Sequence, residues 1–137
     1  MAVSHLRAVR LLPVGALLLA CQSDPTGPLG SGSWGGTGAS LVVTADSAMF
    51  EFDCAHGSIE ERIVPNADGG FDVAGIYVRE HGGPIREGEA PDSHPARYLG
   101  RVGGSRMTLT VTLTDDPKFT ASYTLRQGEP PQVYKCL

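Results

Sequence analysis

From Met107 to Thr114 the chain reads MTLTVTLT, with Met107, Leu109, Val111 and Leu113 at every second position and a threonine after each. A period of two sends successive side chains to opposite faces, which suits a strand with one face on a core and the other in water. The same alternation recurs at Phe50, Phe52 and Cys54 against Glu51 and Asp53. A third copy sets Phe119, Ala121, Tyr123 and Leu125 against Thr120, Ser122, Thr124 and Arg126. No window of helical period competes with it, so the expected fold is all-β and antiparallel.

Turn chemistry supports this reading. NADGG at 66–70 and GGS at 103–105 supply residues that tolerate positive φ, as tight hairpins require, and TDDPK at 114–118 suits a longer turn. Strands are expected over 40–45, 48–55, 58–64, 71–79, 96–102, 105–114, 118–127 and 131–136. Eight short strands joined mostly by hairpins make a meander, whose open edges would invite association. Closure into a small barrel removes those edges, with a β-sandwich as the alternative.

Before this region lies a different kind of sequence. Arg7 and Arg10 precede the apolar run Leu11–Ala20, which is broken by Pro13 and Gly15 and is half as long as a bilayer span requires. Residues 1–20 are therefore read as an export signal. Leu18, Leu19 and Ala20 ahead of Cys21 resemble the lipobox of bacterial lipoproteins, although Leu19 stands where Ala or Ser is more usual. The resemblance implies lipidation of Cys21, a membrane partner reached through that lipid, and a place in the bacterial cell envelope. Gln22, in place of a retaining aspartate, points to the outer membrane, facing the periplasm or the surface.

Residues 21–32 are rich in Gly, Ser, Pro and Thr and read as the lipidated cysteine and a flexible linker; the barrel domain is expected over 33–137. As a coil, such a tether holds the domain roughly 20–25 Å from the lipid. Trp34 is assigned to the domain, because an indole in a linker would expose apolar area for no gain. Without the signal, nine basic side chains face fifteen acidic ones, a net charge of about −6. That balance, with arginines scattered singly, argues against a nucleic-acid partner.

Two cysteines remain beside Cys21. In an oxidising compartment Cys54 and Cys136 are expected to pair, closing a loop of about 82 residues. The chain-entropy model sets an upper figure of roughly 4–5 kcal/mol for such a link.

Catalytic signals are sparse. His56, His81 and His94, even with Glu80, lack the spacing of a metal motif, and NADGGFD lacks the later glutamate of a calcium loop. Ser58, Ser93 and Ser105 lack a nucleophile elbow, and adjacent pairs such as Glu60–Glu61 and Asp115–Asp116 point to opposite strand faces. No metal, cofactor or enzymatic activity is expected. The feature that stands out is the long connection EHGGPIREGEAPDSHP, residues 80–95. Structureless connections of this length in compact domains tend to be functional or disordered. Glu80, His81, Pro84, Arg86, Asp92 and His94 are accordingly the candidate recognition residues.

Gly32–Ser33–Trp34 resembles the G-x-W signature of calycin barrels such as lipocalins, avidins and bacterial metalloprotease inhibitors, in which the tryptophan closes one barrel end. EFDCAHG and the terminal VYKCL resemble lipoprotein inhibitors of c-type lysozyme, small barrels with an early cysteine tied to a late one. Those inhibitors use an SGxxY loop; SHPARY at 93–98 has its serine and tyrosine one residue further apart and lacks the glycine. The expected function is a non-catalytic binding or structural module on the envelope. Two alternatives are an inhibitor of a lysozyme or secreted protease acting through residues 80–96, and a carrier of a small apolar ligand.

Overall fold

The computed structural model describes residues 27–137. The expected signal peptide, residues 1–20, and the expected lipidation site Cys21 lie outside the described residues. Eight antiparallel strands follow in order: β1 (Gly32–Gly36), β2 (Ala39–Val43), β3 (Ala48–Phe52), β4 (Ala55–Ile59), β5 (Gly70–Arg79), β6 (Asp92–Gly103), β7 (Arg106–Leu113) and β8 (Thr120–Gln127). Each strand pairs with its sequence neighbours, and β1 pairs with β8 to close a barrel.

Alternation sorts the faces as the sequence implies. In β7, Met107, Leu109, Val111 and Leu113 are buried, whereas the threonines between them face outward. The interior holds Phe50, Phe52, Tyr77, Tyr98 and Tyr123 in one aromatic column. Phe50 stacks on Tyr98 with ring centroids 4.5 Å apart, and Phe52 contacts Tyr77 and Tyr123 at 5.4 and 5.1 Å. Tyr98 donates its hydroxyl to the Ile76 carbonyl at 2.7 Å. Gly57 makes room for it, since a Cβ there would stand 2.0 Å from that oxygen.

Several boundaries differ from the expectation. The strand expected at 131–136 is absent: Pro130 and Pro131 cannot donate to a ladder, and only the Thr37–Gln132 bridge forms. Its place in the count goes to Gly32–Gly36, which opens the barrel at residues assigned in part to the linker. The linker gives way earlier still, because Leu29 packs against the core and its amide donates to the Ile63 carbonyl at 2.9 Å. The strand expected at 58–64 ends at Ile59, and the chain then leaves the ladder and folds Ile63 inward.

The meander sorts the connections into two ends. The upper end carries the turns at 37–38, 53–54 and 114–119 and the β5–β6 loop; the lower end carries 44–47, 60–69, 104–105 and residues 27–31. From β8 the C-terminal tail turns back towards the upper end along β1. Its backbone crosses Gly35, where a Cβ would lie 2.0 Å from the Glu129 carbonyl oxygen. Gln132 then bonds Gly36 and Gly38, and Tyr134 accepts from the Cys54 amide at 3.1 Å.

Candidate functional site

The β5–β6 connection is shorter than the sequence suggests. β6 begins at Asp92, so the loop is 80–91, and Asp92 and His94 belong to the strand. Pro95 is tolerated within β6 because it lies just past the end of the β6–β7 ladder, where Thr114 donates its amide to the Pro95 carbonyl. Residues 81–91 are all exposed, including Pro84 and Arg86. Ile85 is 81% exposed, an apolar side chain held out in water at the tip.

The loop is tied together despite this exposure. His81 Nε2 pairs with the Glu89 carboxylate, whose other oxygen accepts from the Arg86 amide at 3.0 Å. The Glu89 amide donates back to the Arg86 carbonyl at 3.0 Å. The Gly82 carbonyl and the Glu89 carboxylate both raise the His81 pKa. The Arg86 amide, then His81, hold the Glu89 carboxyl below its ordinary range.

At the base of the loop the two strand ends are clamped. Lys135 donates to Glu51 at 2.6 Å, to Glu80 at 2.9 Å and to the Ala55 carbonyl at 2.8 Å. Glu80 also meets His56 Nδ1 at 2.7 Å. Burial alone would raise the Glu80 pKa, but Lys135 and His56 outweigh it and lower it. Burial would likewise lower the Lys135 pKa, and Glu51 and Glu80 reverse this. The Cys54–Cys136 disulfide, Cα–Cα 4.9 Å, anchors the tail that presents Lys135. Cys54 is not on the inner face of a strand as expected. It occupies a left-handed turn position between β3 and β4, with φ 51°.

On the β6 side, His94 Nδ1 faces Asp115 and Nε2 faces Asp92, both at 2.9 Å. The two carboxylates favour the doubly protonated imidazolium, against the Arg79 guanidinium, whose Nη1 lies 3.5 Å from Nε2. Asp115 and then Asp92 raise the His94 pKa. Arg79 bridges from β5 to Asp116 at 3.1 Å and lies 5.4 Å from the centre of the Phe119 ring.

The three histidines therefore gather at one end, but each has its own carboxylate partners. Among the described residues no group of His, Cys, Asp and Glu forms a metal-ligating cluster. A surface pocket of about 250 Å³ lies between loop and barrel, walled by Val78, Ile85, Ala90 and Pro91, with His56 and Glu80 at its polar side.

Of the residues the sequence singled out, Glu80 joins the Lys135 clamp, His81 and the Arg86 backbone join the loop brace, Asp92 and His94 form the β6 cluster, and Pro84 is exposed; Lys135, Glu51, Glu89, Asp115 and Asp116 were missed. Lys135 stands 55 residues from Glu80, and no local pattern reports such a pairing. Comparison of the chain with protein-family models, curated proteins and solved structures finds no match. Fold and site define a closed β-barrel with one braced, apolar-tipped loop.

Proposed function

We propose that the protein is a lipid-anchored, non-catalytic recognition module of the cell envelope that engages a partner protein through the β5–β6 loop. The observation that carries this reading is the exposed Ile85 on a loop braced internally by the His81–Glu89–Arg86 contacts. A rigid apolar tip ordered before binding loses little entropy on association, which is how binding loops gain affinity. The adjacent pocket gives a partner side chain a place to enter. An inhibitor of a lysozyme or secreted protease is the form of recognition such a loop suits.

The carrier reading has less support, because the positions a ligand would occupy hold Phe50, Phe52, Tyr77, Tyr98 and Tyr123 in ring contact.

The test is a binding and inhibition panel of lysozymes and secreted proteases, run with the parent chain, Ile85→Asp and the inward Val111→Ala. Ile85→Asp is expected to weaken any complex at least about tenfold, or 1.4 kcal/mol, without changing the unfolding midpoint. Val111→Ala is expected to lower stability and spare affinity. Tight binding indifferent to Ile85→Asp would reject the loop as the contact. A small apolar species retained through purification and seen by native mass spectrometry would favour the carrier.

A further inference from the structure

On the outer wall at the lower end, Arg106 of β7 lies directly opposite Arg126 of β8. The next outward row sets Arg101 of β6 beside Thr108 and Thr124. All five side chains are exposed. Opposed partners stand about 5 Å apart and successive rows about 7 Å apart, so three guanidinium groups and two hydroxyls share a patch roughly 10 Å across.

Other arginines are matched by carboxylates: Arg62 of the β4–β5 connection by Asp46 at 3.3 Å, and Arg79 and Arg97 of the strands by Asp116 at 3.1 Å and Asp72 at 2.6 Å. In this patch Arg126 reaches Glu129 only at 3.8 Å, Arg101 donates to the Asp68 carbonyl, and no carboxylate pairs with Arg106 among the described residues. Like charges opposed across a ladder destabilise it. An external anion would relieve that repulsion, and guanidinium forks beside hydroxyls suit phosphate oxygens.

The patch also lies where the chain enters the barrel. Gly27–Gly30 share a groove with Val102 and Gly104, and Val102 lines the adjoining groove with Arg101, Arg106 and Thr108. Cys21 precedes Gly27 by six residues, which reach at most about 20 Å fully extended. Val64 and Leu99, 52% and 44% exposed, sit beside Arg101 as apolar neighbours. Asp46, Glu60 and Glu61 of this end follow β2 and β4, away from β6–β8, whereas Asp68 lines the groove with Arg101 and Arg106 and Glu129 faces Arg126, so two carboxylates stand against the three guanidinium groups.

We propose that this face of β6–β8 docks the barrel onto the phosphates of anionic lipid headgroups in the bilayer that holds Cys21. The proposal rests on the lipid-anchor reading for its geometry. Docking at the lower end would turn the β5–β6 loop away from the membrane.

The test is co-sedimentation of the full chain carrying Cys21→Ala with vesicles of phosphatidylcholine alone or mixed with phosphatidylglycerol. Residues 1–20 act equally in every sample, so the readout is the ratio of binding to the two vesicles. Each arginine near an anionic surface strengthens partitioning roughly fivefold. The ratio should therefore fall by about 25-fold in Arg106→Gln/Arg126→Gln, and stay unchanged in the upper-end control Arg86→Gln. A parent ratio of one, or a ratio the double variant leaves intact, overturns the proposal. So does its abolition by millimolar inorganic phosphate at constant ionic strength, which would assign the patch to a free anion. Palmitate labelling of Cys21 in the unaltered chain is scored separately, so failure of the anchor is distinguishable from failure of the patch.

Discussion

His94 presents both ring nitrogens to carboxylates, Asp115 and Asp92, and its pKa stands above the ordinary value of 6.5. A group whose pKa is raised by folding adds stability that is fully present below its unfolded value and is lost as pH climbs through the folded one. The melting temperature should therefore fall from pH 6 to pH 8 more steeply in the parent than in His94→Gln. Equal slopes in thermal melts would show that the imidazolium is not stabilised as described. A second residue-scale prediction concerns Tyr98, buried with its hydroxyl on the Ile76 carbonyl. Tyr98→Phe removes this bond and should cost about 1 kcal/mol in urea unfolding. At this scale the sequence disclosed residues whose chemistry is local or scarce, such as the cysteine pair and the histidines. Lys135 was illegible, because its meaning depends on the tail crossing from β1 to the β3–β4 turn.

Among the elements, the tail is the one that alternation could not predict. Its contacts are scattered bonds, with Gln132 on Gly36 and Gly38, Tyr134 on Asp53 and Cys54, and Lys135 on Glu51, Ala55 and Glu80, and it contains two prolines. Such a segment has no ladder to hold it, so the disulfide across 82 residues carries much of its attachment. Reduction, or Cys54→Ala/Cys136→Ala, should lower stability by about 2–4 kcal/mol in denaturant titration. It should also free Lys135 from Glu80, with faster amide exchange at the base of the loop than in β6–β7. By contrast β3, β5, β7 and β8 were legible within a few residues, because a period of two reports which face is buried. β1 was not, since Gly32, Gly35 and Gly36 lack the side chains that would make an alternating pattern. β6 extends beyond its expected start because its pairing with β5 continues to Arg79–Asp92.

Taken as a whole, the molecule is a closed barrel with opposed ends: the chain enters at the lower one, and the braced loop stands at the upper one. If the lipobox acts as its residues suggest, Cys21→Ala should abolish palmitate labelling and leave the signal uncleaved. Processing that is unchanged by the substitution would refute the anchor. The central claim is that residues 81–90 form an ordered binding element, and backbone ¹⁵N relaxation of the domain tests it most directly. Order parameters near 0.85, matching the strands, are the predicted result; values below about 0.6 across the loop would contradict the claim and make it a mobile insertion.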